Sequence, residues 1–387
     1  MDAFAARSLF DLYSDFTFFL NDPVNGDGIQ QHDSRLQECA NARYVRTQNF
    51  VAVQGLLTIG GNYHDNQINV GLYPRVGRVP TGVTTRADAR VINGAGYLQE
   101  NFSFLHGKLQ VGGGIRYDEF RFDVADRVQP RSGGAETAGR LQPKANMAFT
   151  PSQRFPITFY ANYGRGISTA DARAVVERPH QQRAATTDFY QAGAAHHFSR
   201  VSLSTDLFWI DRSHEQVYIP DDGSFEFKGP SRAYGFEAKS SVQITRHIAW
   251  NGAVMKVANA YYRGTAPRIY VDSAPHFVAS SGLSMSPWKR WTGSVTMRAI
   301  NHYRLDGLDA AIVASGHTVF DSAVSRQIWR GVELSLSADN LTNRDYYETQ
   351  NYFVSRLAGV APVARIHGTP AFPLTLTAGV TFRLFGK

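Results

Sequence analysis

His196-His197 and His214-Glu215 are the side-chain pairs best suited by type to hold a metal ion, and Asp22-Pro23-Val24-Asn25-Gly26-Asp27-Gly28 is the kind of oxygen-rich run that can wrap a cation. Spacing argues against both. Neighbouring residues in a strand point to opposite faces, so neither pair chelates where the chain is extended. The Asp22 run lacks the ligand spacing and distal glutamate of a calcium loop, and its residue types make a plain turn the expectation. Gly164-Arg165-Gly166 has no third glycine for a dinucleotide loop and reads as a turn at a strand end. There is no G-x-S-x-G nucleophile elbow, no G-x-x-x-x-G-K-(S/T) phosphate loop and no H-E-x-x-H zinc helix. Cys39 is the single cysteine, which excludes an intramolecular disulfide, a cysteine zinc site and an iron–sulfur cluster. No catalytic residue, cofactor site or metal site is expected, and the chain is not read as an enzyme.

Composition narrows the field further. Hydrophobic residues make up 43% and aromatic residues 12% of the 387, too many for a disordered chain. Lysine and arginine exceed aspartate and glutamate by 40 to 33, but the excess of +7 is scattered and no nucleic-acid partner is expected. No run approaches the roughly 18 to 20 apolar residues of a membrane-spanning helix. The start, Met1 to Arg7, lacks the basic and apolar regions of a signal peptide, and Arg7 to Leu20 already alternates like a strand.

Alternation is the dominant signal. Leu374, Leu376, Ala378, Val380, Phe382 and Leu384 alternate with Thr375, Thr377, Gly379, Thr381 and Arg383, giving one apolar and one polar or small face. Val332 to Asp339, Phe236 to Ile244 and Ile157 to Gly164 repeat the pattern. Lys108 to Val124 slips phase near Tyr117-Asp118, which calls for a bulge or for exit from an apolar layer. Strands are expected near 4–20, 35–46, 50–72, 89–104, 108–127, 139–150, 155–169, 187–198, 201–219, 231–244, 247–263, 274–286, 291–304, 317–328, 331–347 and 371–385.

The connections alternate too. Long ones at 21–34, 73–88, 128–138, 170–186, 220–230, 264–273, 305–316 and 348–370 are separated by short turns such as Ser199-Arg200, Thr245-Arg246 and Trp329-Arg330. Lys108, Arg154, Arg200 and Arg246 mark successive short turns at a constant interval of 46. All short turns then lie at one end of an up-and-down antiparallel sheet and all long loops at the other. A β-propeller blade would pack four short strands into such a period, whereas each repeat here holds two long ones.

Long two-faced strands of this kind match an outer-membrane barrel. Lipid offers the backbone no hydrogen-bond partners, so the apolar face must point outward and the polar face inward. Glu237, Lys239, Glu333 and Asp339 fall on the polar face. Candidate interfacial aromatics are Tyr160, Tyr163, Trp209, Tyr218, Trp288, Trp291, Trp329, Phe382 and Phe385.

Several segments resemble the TonB-dependent outer-membrane receptors. Asn340-Leu341-Thr342-Asn343-Arg344-Asp345-Tyr346, at the end of GVELSLSADNLTNRDYYETQ, is similar to the polar turn after that family's penultimate strand. Thr369-Pro370-Ala371-Phe372-Pro373 and the strand ending Val380 to Phe385 resemble its closing segment. Gln142-Pro143-Lys144 through Gly164-Arg165-Gly166 resembles the central hairpin, Tyr234-Gly235-Phe236-Glu237 the G-x-E strand start, and Gly107 to Asp118 another barrel strand.

The resemblance implies an all-β, up-and-down antiparallel transmembrane β-barrel, of which about sixteen strands of an expected 22 are present. It implies a single unit over 1–387, a partial barrel without the plug domain, the TonB-binding segment or the targeting signal of the full-length family. The implied place is the outer membrane, with lipid around the barrel and a scarce small-molecule ligand, such as a siderophore, at the extracellular loops. Loops 170–186 and 348–370 are the best candidates for that contact, being long and mixed in Arg, His and aromatic content. Without plug and TonB segment, energised transport by this chain alone is not expected. The alternative is a passive sixteen-stranded porin-like channel.

Overall fold

The computed structural model describes residues 1–51, 53–152, 154–177, 183–219 and 224–383. A seventeen-stranded antiparallel sheet dominates, and all but the two-residue stub Val79–Pro80 are long strands. In chain order these are β1 (Asp2–Ser14), β2 (Ile29–Asn49), β3 (Gln54–Val76), β4 (Thr85–Phe104), β5 (Leu109–Asp126) and β6 (Gly134–Phe149). Next come β7 (Ile157–Thr169), β8 (Ala184–Phe198), β9 (Val201–Arg212), β10 (Ser231–Gln243) and β11 (Ile248–Tyr262). The last are β12 (Phe277–Trp288), β13 (Trp291–Ile300), β14 (His317–Trp329), β15 (Val332–Asp339) and β16 (Thr375–Phe382). Each pairs with its sequence neighbours, so the sheet is an uninterrupted meander.

Alternation fixes the faces. On β9, Leu207 is 66% exposed while its neighbour Asp206 is 8% exposed. Val201, Leu203, Thr205, Leu207 and Trp209 line the outer face, and Ser202, Ser204 and Asp206 the inner one. Inward polar groups are satisfied by one another. Asp206 accepts hydrogen bonds from Tyr160 at 3.2 Å and Gln191 at 2.9 Å. Asp118, 3% exposed, accepts a forked pair from Arg116 at 2.7 and 2.8 Å, plus bonds from Asn93 and Gln142. Tyr160 therefore belongs to the inner wall and not to an outer aromatic belt.

The outer apolar band has a defined upper edge. On β7 to β10 an aromatic row, Tyr163, Tyr190, Trp209 and Tyr234, lies in direct register across the strands. One outward position nearer the loops runs a charged row, Arg165, Asp188, Asp211 and Arg232, in the same register. The two aspartates face each other, an arrangement that alone would be unfavourable. Arginine forks on either side neutralise it: Arg165 donates to Asp188 at 2.8 and 2.9 Å, and Arg232 to Asp211 at 2.7 and 2.9 Å. Tyr163 Oη and Trp209 Nε1 donate to the same two carboxylates at 2.8 and 3.2 Å. From Val201 through Asp211 is eleven residues, the length of tilted strand that crosses a hydrocarbon layer. Trp288 and Trp291, paired across a short turn, lie at the opposite end. Of the other expected girdle residues, the Tyr218 side chain and Phe385 lie outside the described residues.

Beyond the charged row the faces exchange polarity. On β5 the outward residues become Glu119, Arg121 and Asp123, while Phe120, Phe122 and Val124 point inward. The helix α1 (Ala172–Glu177) covers them, and Ala172 and Val175 join Ala89, Phe122, Val124 and Ala138 in one buried cluster. This explains the apparent phase slip at Tyr117-Asp118. The register of β5 with β4 and β6 is unbroken there, so the segment leaves the apolar layer without a bulge. A bulge occurs instead at Tyr234-Gly235, where a Cβ on Gly235 would collide with the Lys256 carbonyl.

Several boundaries differ from expectation, each for a local reason. The first strand stops at Ser14, and Phe18 takes a positive φ of 61°. The expected 201–219 strand divides into β9 and one arm of a separate hairpin, Glu215–Ile219 with Ser224–Lys228. Gly164-Arg165-Gly166 is strand interior, since β7 continues to Thr169. The penultimate strand ends at Asp339 because Asn340 turns left-handed, with φ 52°. Asn340 Nδ2 donates to the Arg344 and Phe372 carbonyls at 2.9 and 3.1 Å, and its Oδ1 accepts from Arg344 N–H at 2.9 Å. Asn343 Oδ1 accepts from Leu374 N–H at 2.9 Å. The two asparagines thus tie the polar turn to the segment that enters the closing strand.

β1 and β16 are the two ends of the meander, and no strand pairing joins them among the described residues. At the loop end the segment after β1 nevertheless meets the loop that precedes β16. Phe19 N–H donates to Arg356 O at 2.9 Å and Arg356 N–H to Thr17 O at 3.1 Å.

Two stability tests follow from these contacts. Asn340→Ala removes three hydrogen bonds from a buried turn and should cost about 2–4 kcal/mol in a denaturant titration in detergent, with Asn343→Ala costing roughly 1. Thr205→Arg, on the outer face at mid-band, should lower stability in lipid by about 2–4 kcal/mol, whereas Ser204→Arg on the inner face should cost much less. Equal costs for the two arginines would contradict the face assignment.

Candidate functional site: the loop rim

The long loops are structured and tied to one another around the mouth of the sheet. Arg173 of α1 stacks over Phe225 of the Glu215–Lys228 hairpin at 5.0 Å. At the foot of that hairpin, Lys228 reaches Asp272 at 3.7 Å. Tyr270 N–H donates to Gly307 O at 2.9 Å, and the Arg304 guanidinium lies 4.4 Å over the Tyr270 ring. Ser315 N–H and Oγ each donate to Gln350 Oε1 at 3.1 Å, and Gln350 Nε2 returns a bond to Ser315 O at 3.0 Å. The Tyr347–Ser355 and Val363–Pro370 arms form a hairpin, whose Arg356 meets Thr17 and Phe19. His367 stacks on Phe353 at 4.0 Å and lies 5.9 Å from Phe18. Each loop therefore touches the next, from α1 round to the segment after β1.

The rim is rich in cations held against aromatic faces. Besides Arg173 and Arg304, Arg268 lies 4.7 Å over Tyr261, and Arg75 lies 4.7 Å over Tyr13. Such stacking orients a guanidinium; Arg173 also pairs with Asp171 at 3.2 Å and Arg75 donates to Gln30 at 2.8 Å, whereas Arg268 and Arg304 make no ion pair within 4 Å among the described residues. Burial holds the imidazoles of His367 and His276 below the usual histidine range, with the Arg365 charge adding to the first and the Lys256 and Arg304 charges to the second. Between α1 and the inner wall of β1 to β4 is a recess of about 250 Å3, whose lining includes Phe10, Asp33, Arg35, Leu72, Asp171 and Arg173. Arg35 and Asp33 are paired within it at 2.7 Å.

The two loops singled out by length take up different positions. Residues 172–177 form α1 and pack inward over the wall, while 347–370 stands as the hairpin that meets the first loop. The other sequence candidates do not converge. His196 stacks on Phe198 on the outer face, with ring centroids 6.1 Å apart, and His197 lies on the opposite face. Glu215 accepts from Arg212 at 2.6 Å, while His214 contacts Ser213 at 2.9 Å. In the Asp22 run, Asp22 Oδ1 accepts from Val24 and Asn25 N–H, both at 2.9 Å, and Asp27 accepts from Thr17, Asn21 and Asp22. The carboxylates bind their own turn, and hydrogen bonds from Asn25 and Val24 hold the Asp22 carboxyl below its usual range. Cys39 Sγ donates weakly to Asn41 Oδ1 at 3.7 Å. Among the described residues no three histidine, cysteine or acidic side chains are grouped to hold a metal ion. The pairs Asp33–Arg35 and Ser315–Gln350 carry no motif and were beyond sequence reading.

Residues 3–341 match the family described as TonB dependent receptor-like, beta-barrel. Among solved structures the chain is similar to the ferric citrate transporter FecA in its unliganded form, with a TM-score of 0.73 at 13% identity, covering 98% of this chain and 58% of that one. BauA, the ferric preacinetobactin receptor from Acinetobacter baumannii, gives 0.73 at 15%, covering 98% and 60%. The siderophore receptor PiuA from Acinetobacter baumannii gives 0.68 at 14%, covering 92% and 56%. The chain thus spans less than two thirds of the length of these structures. A comparison with curated proteins finds no match. With its meander, apolar band and structured rim, the chain belongs to the TonB-dependent receptor β-barrel family and is an outer-membrane protein.

Proposed function

We propose that residues 1–387 form barrel wall and ligand mouth of a receptor for a scarce, anionic metal chelate of the siderophore type. The observation that carries this reading is the rim, where arginines 268 and 304 are held on aromatic faces. Oriented guanidinium groups suit carboxylate or catecholate oxygens around a chelated metal. FecA, a ferric citrate transporter, and BauA, a ferric preacinetobactin receptor, support the class of ligand. Energised uptake needs a plug and a TonB-binding segment, and the described elements are the strands of the one large sheet, the small hairpins of its loops and helical turns of six residues or fewer. These residues by themselves should therefore bind without pumping, and no enzymatic activity is proposed. The second reading, a passive porin-like channel, is favoured by the number of long strands.

Cells carrying this chain should bind iron-labelled ferric citrate or a ferric catecholate at their surface without energy-dependent accumulation. Arg304→Ala should weaken binding about tenfold, the loss expected for one charge-assisted contact. Accumulation abolished by an uncoupler would refute the uptake prediction, and steady conductance in a planar bilayer without chelate binding would favour the porin.

Acid should loosen the rim. His367 and His276 have folded values below the 6.5 of a free imidazole, so below roughly pH 6.5 the opened form takes up protons more readily than the closed one. The contribution to stability is full above that value and falls as pH drops through the folded values. Amide exchange at Phe19 and Arg356, corrected for intrinsic rate, should be faster at pH 5.5 than at pH 7.5.

A further inference from the structure

The last hairpin, Tyr347–Ser355 with Val363–Pro370, carries polar atoms that nothing around them satisfies. Its antiparallel register puts Asn351, Phe353 and Ser355 on the same face as Val363, Arg365 and His367. That face turns toward the first loop, since His367 stacks on Phe353 at 4.0 Å and lies 5.9 Å from Phe18. Three of its side chains bury an atom without a hydrogen-bond partner: Ser355 Oγ, Arg365 Nε and His367 Nε2. Ser355 is 0% exposed, and Arg365 and His367 are half-buried. Folded proteins leave few such atoms orphaned, because each gives up its hydration and gains nothing in return.

The strand pairing makes the three neighbours. Arg365 and His367 are two residues apart on one strand, roughly 7 Å, and Ser355 lies diagonally across from Arg365, within reach of its long side chain. The Arg365 charge is felt at His367, where it adds to burial in holding the imidazole below the usual histidine range. Among the described residues the Arg365 guanidinium has neither an ion pair nor a hydrogen bond. The carboxylates of the first loop do not serve it. Asp22 and Asp27 accept hydrogen bonds within their own turn, and Asp15 accepts one from Phe18 N–H. All three orphaned atoms can donate at neutral pH: a serine hydroxyl, a guanidinium N–H, and the N–H of a neutral imidazole whose proton sits on Nε2. Water satisfies a donor but brings no charge to balance a guanidinium.

We propose that Ser355, Arg365 and His367 form a site for one free, compact oxyanion of the phosphate class, which on binding clamps the last hairpin to the first loop. Charge-assisted bonds to oxygen are what these donors make best. The clamp follows from position. Ser355 adjoins Arg356, whose N–H donates to Thr17 O at 3.1 Å and whose carbonyl accepts from Phe19 N–H at 2.9 Å. An anion held on this face against Phe18 binds where the two segments are together, so it stabilises those backbone bonds by mass action. The site is separate from Arg268 and Arg304 and does not depend on what they bind.

Amide exchange at Phe19 and Arg356 reads the clamp in the full chain, folded in detergent at pH 7.5. Inorganic phosphate, against sodium chloride of equal ionic strength, should slow both amides saturably, by about tenfold at ten times the half-saturating concentration. Arg365→Gln should raise that concentration at least tenfold, and Arg154→Gln, at the short-turn end, should leave it unchanged. Ser355→Ala separates an anion site from a merely structural role: it should weaken phosphate binding, yet without phosphate it should make exchange no faster, since what it removes is an unpaired buried hydroxyl. If Arg365→Gln lost the heat-modifiable mobility of a folded barrel, Arg365→Lys, which keeps the charge without the Nε–H, should still raise the half-saturating concentration at least threefold. Protection no greater than that by chloride, or equal half-saturation in the unaltered chain and the Arg365 variants, would overturn the proposal. Protection by citrate and not by phosphate would assign the three donors to the carboxylates of a larger ligand and overturn the free-anion assignment.

Discussion

A strand in hydrocarbon can satisfy its backbone only against another strand, and every other feature of this molecule follows from that requirement. The continuous antiparallel ladder commits side chains to strict alternation, because a slip of one residue would turn a whole apolar row into the polar interior. Alternation forces Asp118 and Asp206 inward, where arginine, glutamine and tyrosine groups satisfy them. It also forces the exchange of polarity above the charged row, where water lies outside and α1 lies within.

The loops solve a problem the strands leave open. The meander has two ends without mutual pairing among the described residues, yet the first loop and the last hairpin are joined by backbone hydrogen bonds at Thr17, Phe19 and Arg356. Because each loop contacts the next, the rim can hold the mouth in one shape independently of the seam below. A ligand touching several loops would meet a preformed set of guanidinium groups, so less ordering would be needed on binding.

Much of this was legible in the sequence, and the limits are physical. Period-two patterning located the sixteen long strands of the large sheet, though not the hairpin arms Tyr347–Ser355 and Val363–Pro370 within the expected 348–370 loop, and the order of long and short connections gave the meander, since both depend on local chemistry. The same patterning could not tell β9 from the hairpin arm beginning at Glu215, because alternation is a property of any half-covered strand. It placed Tyr160 in the outer belt although its hydroxyl serves Asp206; tyrosine suits either face. It missed that Gly164 and Gly166 sit within a strand, since glycine signals a turn only when neighbouring strands do not hold it extended. The polar turn from Asn340 to Tyr346 was visible as a motif, but its role as a staple depended on Phe372 and Leu374, some thirty residues further on. The loop rim was the least legible part, because contacts such as Ser315–Gln350 have no periodicity to announce them.

The row Arg165, Asp188, Asp211 and Arg232 sums to zero charge, and this affects how the molecule sits. A surplus of one sign would tether the barrel to lipids of the other and let its immersion vary with their abundance. A balanced row has no such preference, yet all four groups are costly to submerge. It works as a waterline: the barrel can float no deeper than this row, whatever lipids surround it.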